Sequence, residues 1–516
     1  MRQSISEAER EHIISDYGKL KDEYVKSLKE IEELKKQLDG LKRAGELKQG
    51  AAPKTDDERM FQAVTWFEVG YRHSLKNEYD EAIVEYTKAI LTHPGMAEAY
   101  NNRGIAYKNN GRTDLAIKDY DAAIAINQDY ADAYNNRGIT YAQTGKRDLA
   151  LRDYTKAIAL RPGFSEAYSN RGDIFYAAGQ FDAALKDFNK AVEFKPDHAL
   201  AYNKRGGAYV SVGDYKSAVN DFTRAVELKP DYDTAYYNRG LAHDTNGMTD
   251  LAAADYGNAI ELNPGNTAAY NNRGAAYNDR GLYDRAIEDF NKVISLNPRH
   301  PYAFNNRGLA YAMKGNYDKA IEDYNGAVFL NPTDAALYVN RANAYKKKGL
   351  MQLAVEDYNR AVSLNKNFVE AFNNRGDIFY SSGDFDRAIE DFTKVAALNP
   401  KHPFAFNNRG MAFAAKGKFD KAIEDYGRAI GLNAKNAAAY MSRGSAFDSK
   451  GMLDKAISDY NSAISIKGDY TEAYYNRGIA YYKKGAKDKA VADFKKACGL
   501  GADYGCENAK ALGEGR

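Results

Sequence analysis

Ten asparagines stand in one long register: Asn102, Asn136, Asn170, Asn238, Asn272, Asn306, Asn340, Asn374, Asn408 and Asn476. A carboxamide carries a donor and an acceptor on one short side chain, the combination that holds a peptide backbone without reading its side chains. Asparagine is a mediocre helix former, so its return within a helix asks for a reason beyond propensity. Two arrangements satisfy the series, a guest backbone or a bond to a neighbouring helix. The residue after each of these asparagines is Arg, and sixteen positions further on stands Asp, as in Arg273 and Asp289. A planar guanidinium pairs a carboxylate through two parallel bonds. The Arg is therefore expected to meet the Asp of its own or an adjacent repeat and to set helix register.

Catalysis asks for more than this. The seven histidines, at 12, 73, 93, 198, 243, 300 and 402, are scattered rather than convergent. His73 and His243 occupy aromatic positions of a repeat and are expected in the core, and His300 and His402 share one turn position before Pro301 and Pro403. The glycines follow cap and packing positions, with no phosphate-cradling loop. No catalytic residue, metal ligand or cofactor is assigned. The expectation is a non-catalytic scaffold that binds other proteins or, alternatively, a peptide-binding adaptor or chaperone-like receptor docked elsewhere by its N-terminal helix.

These residues are placed by a period of 34, visible in the Asn-Arg-Gly tripeptide that returns from Asn102 to Asn476. Counting from Ala97 as position 1, an aromatic holds position 4, Gly position 8 and an aromatic or His position 11, which share one stripe of a helix. Gly at 15 ends that helix, Ala at 20 and 27 and an aromatic at 24 build a second one, and Pro near 32 stops it. A fixed period of this length marks stacked helical hairpins that bury their apolar faces only against their neighbours. The chain resembles the tetratricopeptide repeat (TPR) family across thirteen units, residues 63–504. That resemblance implies an all-α, right-handed superhelical solenoid whose concave wall, made by each unit's first helix, grips extended peptides or partner helices. It departs from the family pattern at position 7, Arg in place of Leu, together with Asp at 23.

The asparagine series resembles the ladder on the inner wall of the O-GlcNAc transferase superhelix, which holds client backbones. Specificity would then come from positions 2, 9, 12 and 13. No Lys or Arg stands at position 2 in the regular units, so the carboxylate clamp of chaperone-binding relatives is not expected. Two acidic spots emerge, Glu166 with Asp173 and Glu370 with Asp377, separated by 204 residues and carrying the same Gly-Asp-Ile-Phe. Between and beside them lie the apolar residues Tyr302, Met313 and Phe404. The expected partner is an extended chain with basic residues flanking an apolar segment, held by two related stretches at once.

The ends read differently. Residues 1–50 carry heptad-like spacing over 11–45, with Tyr17, Tyr24, Ile31 and Leu38 alternating with Ile13, Leu20, Leu34 and Leu41. That pattern suggests a coiled coil, giving a homodimer or a docking helix, with a lone charged helix as the other reading. Residues 51–62 read as a linker and 505–516 as a capping helix and tail. Cys498 and Cys506 flank a glycine turn in a spacing that resembles the hairpin disulfide of cysteine-rich secreted α/α-repeat proteins, over about ten residues. That resemblance implies a bond and an extracytoplasmic home, whereas two cysteines in 516 residues also fit a reducing one. With 73 basic against 71 acidic residues, no phosphate-tracking surface for nucleic acid is expected. No run of apolar residues is long enough for membrane insertion, and the first residues lack a signal peptide's apolar core, so the default expectation is cytoplasmic.

Overall fold

The computed structural model describes residues 55–513. Among them are 27 helices and no strand. From Ala97 to Ile466, first helices of 13 residues such as Ala97–Asn109 alternate with second helices of 14 such as Thr113–Ile126. The chain is an all-α repeat solenoid. It divides into two compact units that part between Lys204 and Arg205. The coiled-coil-like stretch at 1–50 lies outside the described residues.

Each hairpin is closed by backbone chemistry. Gly111 and its counterparts through Gly485 have φ between 67° and 81°, and a Cβ added at Gly111 would meet nothing within 4 Å. The left-handed conformation therefore dictates glycine there, not crowding. In the first hairpin Asn77, at φ 60°, takes the same role. Gly104 is glycine for the opposite reason: a Cβ would stand 2.7 Å from the Tyr120 ring. Ala116, Tyr120 and Ala123 of the second helix are fully buried. Burying such an aromatic contributes roughly 1.5–3 kcal/mol per hairpin.

Within each unit the second helix of one hairpin packs on the first helix of the next. Ala89, Ile90, Met96 and Ala99 form one such cluster in the first unit, and Val395, Ala396, Ala405 and Phe406 another in the second. The first described helix, Asp56–Leu75, begins inside the expected 51–62 linker. Thr55 and Glu58 form a reciprocal capping box that starts the helix there. At the other end, helix Asp503–Gly513 covers Phe494 with Ala509 and Leu512.

Two histidine expectations divide. His243 is buried, as expected of a core position. His73 instead stands half-buried with Nδ1 2.6 Å from Glu78 Oε2, so its ring serves a hydrogen bond at the turn. His300 and His402 are helix caps, accepting through Nδ1 from the backbone N–H of Ala303 at 3.0 Å and Ala405 at 3.2 Å.

Candidate functional site: the face of the first helices

The Arg–Asp series is internal to each hairpin. Arg273 donates through Nε and Nη2 to both oxygens of Asp289, at 2.9 and 2.8 Å, and the same two-bond geometry recurs from Arg103–Asp119 to Arg477–Asp493. The aspartates are buried. Bonding to Asp289 holds the Arg273 guanidinium above its ordinary pKa against the burial that opposes it. Burial pushes the Asp323 carboxyl up, and Arg307 pulls it partly back. Contact thus favours the pair and desolvation taxes it, so its value lies in geometry more than in net stability.

The third nitrogen of many of these arginines reaches the preceding hairpin. Arg103 Nη1 donates to Thr87, Arg137 Nη1 to Asp121 at 2.6 Å, and Arg341 Nη1 to Asn325 at 2.8 Å. Tyr100 and Tyr107 flank the Arg103 guanidinium at 5.5 and 5.8 Å. The short polar residue at position 25 went unremarked in the sequence, although Thr, Asn or Asp recurs there; its only signal was that same period.

Most of the asparagines commit one amide N–H to the fold. Asn136 Nδ2 donates to Asn101 Oδ1 at 3.0 Å, Asn170 to Asn135 at 3.0 Å, and Asn340 to Asn305 at 2.8 Å. Asn306 donates to Asn271, Asn272 to the Tyr237 hydroxyl, and Asn374 to Asn343. Asn408 Nδ2 lies 3.5 Å from Asp377 Oδ1, and Asn476 Nδ2 lies 3.7 Å from Met441 Sδ. Asn102 is buried and accepts from Asn101, while Asn238 is half-buried. Of the two arrangements the sequence left open, a bond to the preceding first helix engages one amide N–H in most of the series, as at Asn136, Asn170 and Asn340. Asn136 and Asn340 keep a carboxamide oxygen for a further donor.

The specificity residues differ between the two units. In the first, Glu166 is met by Lys195 at 3.2 Å and Asp173 by Lys204 at 2.7 Å, so the first acidic spot carries its own counter-charges. In the second, Glu370 is exposed and accepts from Asn343, and Lys346 stands 3.6 Å from Asp377. Burial pushes the Asp377 carboxyl up, partly offset by Lys346. Tyr302, Met313 and Phe404 are 49%, 60% and 59% exposed, and Leu309 joins Tyr302 and Met313 on one helix face. Beside Asp377 opens a cavity of about 580 Å³, lined by residues of three successive first helices, Lys346, Asp377 with Tyr380, and Asn408 with Met411, over Met351 and Phe392.

Ser165 Oγ lies 2.9 Å from His198 Nδ1, but both are buried and the hydroxyl donates its proton to the Ala191 carbonyl at 2.8 Å. The imidazole N–H must then be the donor, which is the reverse of a general base. Among the described residues no group of three His, Cys, Asp or Glu is placed to hold a metal ion, and no helix is long and apolar enough to cross a membrane. Cys498 and Cys506 are joined as a disulfide with Cα atoms 4.7 Å apart, tying the last second helix to the cap.

No curated protein matches this chain. Among solved structures, YrrB, described as a TPR protein with an unusual peptide-binding site, is 29% identical over 38% of this chain and 97% of its own, with a TM-score of 0.34. The APC/C hetero-tetramer Cut9-Hcn1 is 14% identical over 87% of this chain and 96% of its own, at a TM-score of 0.37. Yeast Tom70 is 17% identical over 81% of this chain and 95% of its own, at 0.33. The family rests instead on sequence profiles. Those described as TPR repeat match residues 109–145, 172–213, 206–247 and 444–485. Those described as tetratricopeptide repeat match 131–164, 245–296, 272–335, 335–368, 369–402, 403–436 and 471–503. With the helical hairpins and their glycine turns, these matches establish that the chain belongs to the tetratricopeptide repeat family.

Proposed function

We propose that this protein is a non-catalytic interaction scaffold that holds an extended segment of another protein along the first-helix face of residues 301–415. The observation that carries this reading is the exposure of Tyr302, Leu309, Met313 and Phe404 on that face, with the cavity beside Asp377 opening on the same side. Exposed large apolar side chains flanking a concavity are the usual anchors of peptide recognition. The free asparagine oxygens would accept from the guest's backbone N–H groups, a role secondary to the apolar anchors because one N–H of most of these carboxamides is already bound to the preceding helix. Thirteen repeats over 63–504 and a self-associating stretch at 11–45 complete the proposed organisation, the latter outside the described residues.

Fluorescence anisotropy with pooled nine-residue peptides rich in Leu, Tyr and Phe tests the reading. Wild-type protein is expected to bind them, and Tyr302→Asp with Phe404→Asp to weaken binding at least tenfold. Unchanged binding by the double variant would refute it. Light scattering with and without residues 1–58 reports separately on self-association.

A further inference from the structure

We infer that the cavity beside Asp377 receives a lysine side chain of the bound segment. This rests on the first-helix face being the binding face, and it names what that face selects. The two stretches 204 residues apart share more than Gly-Asp-Ile-Phe. Tyr176 packs on Phe181 with ring centroids 5.5 Å apart at 59°, and Tyr380 packs on Phe385 at 5.6 Å and 59°. Glu166 and Asp173 correspond to Glu370 and Asp377.

The charges do not correspond. In the first stretch two acids meet two lysines, Lys195 and Lys204. In the second the counterpart of Lys195 is Asn399 and that of Lys204 is Asn408, while Lys346, facing Asp377 at 3.6 Å, has Ala142 as its counterpart. Two acids there meet one lysine. Lys204 shows where the missing charge belongs: its ammonium donates to Asp173 at 2.7 Å and to Ser169 at 3.2 Å. The corresponding acceptors in the second stretch are Asp377 and Asn373. Asn373 Oδ1 is buried with no hydrogen-bond partner, and Asp377 has only the long contacts to Asn408 and Lys346.

Replacing a lysine by the shorter asparagine leaves space as well as charge. The cavity carries Met351, Phe392 and Met411 alongside Asp377 and Asn408, so an unbranched alkyl stem meets apolar side chains while its ammonium reaches the acid. An ammonium on a half-buried carboxylate also gains selectivity against an uncharged isostere.

The test uses full-length protein and nine-residue peptides that differ only at the centre, lysine or norleucine, with flanks drawn from Leu, Tyr, Ala and Ser. Wild-type protein is expected to bind the lysine pool about tenfold more tightly than the norleucine pool, the order of one partly buried charge pair. Asp377→Asn removes the charge at constant shape. Asn408→Lys installs the tethered ammonium of the first stretch. Both are expected to lose the preference, and helical circular dichroism equal to that of wild type shows that they are folded. Equal wild-type binding of the two pools would overturn the inference and leave the binding face standing, as would a lysine preference that survives in Asn408→Lys. Binding of neither pool by wild-type protein would overturn the face and the inference together.

Discussion

At the residue scale the molecule repeats one ionic contact and varies what surrounds it. Arg273 is the clean place to measure that contact, because position 25 of the preceding hairpin is Gly257 and offers its third nitrogen no side-chain acceptor. Arg273→Leu leaves Asp289 buried and unpaired, with an expected cost of about 3 kcal/mol in the hydrogen-exchange protection of that hairpin. The pair Arg273→Leu with Asp289→Leu should recover most of it, since an apolar pair of similar volume escapes the desolvation. A single-variant cost below about 0.5 kcal/mol would mean that the pair is idle. His243 gives the pH counterpart. Burial lowers its pKa, opposed by Asp255 and reinforced by Arg239. The unfolded imidazole takes its proton near pH 6.5, roughly, while the folded one resists. Its contribution is therefore full above that pH and lost as pH falls through the lower folded value. Thermal unfolding from pH 7 to pH 5 should show a decline in Tm that His243→Tyr, restoring the aromatic found in other hairpins, makes shallower.

At the scale of the helical hairpin, two glycines of one repeat do different work. Gly104→Ala drives a methyl to 2.7 Å from the Tyr120 ring and is expected to cost about 1–3 kcal/mol through overpacking. Gly111→Ala meets no atom and is expected to cost about 1 kcal/mol, from the left-handed backbone alone. Hydrogen exchange of the helix Thr113–Ile126 in the two variants separates steric from conformational cost. At the end of the chain, the disulfide between Cys498 and Cys506 closes a short loop around the turn into helix Asp503–Gly513. Its removal by Cys498→Ser with Cys506→Ser should cost the cap roughly 2–3 kcal/mol. Exchange in that helix should rise while distant hairpins stay unchanged, because each hairpin contacts only its neighbours.

At the scale of the whole molecule, near-identical hairpins are made different by substitutions that leave the packing alone. Lys204 fills its acidic spot from within, and Asn408, in the same register, leaves a cavity. The period of 34, the helical hairpins, the glycine turns and the Arg–Asp pairing were all legible in the amino-acid order. Each depends on residues close along the chain or on backbone preference, and each was written many times over. Where the side chains spend their hydrogen bonds was not legible. The asparagine amides turned to the preceding helix, Glu166 and Asp173 found lysines about thirty residues downstream, and position 25 acquired a role through an arginine of the next hairpin. Those pairings depend on the rotation and spacing of one packed hairpin against another. Short-range periodicity carries no record of that geometry, so only the folded stack could decide them.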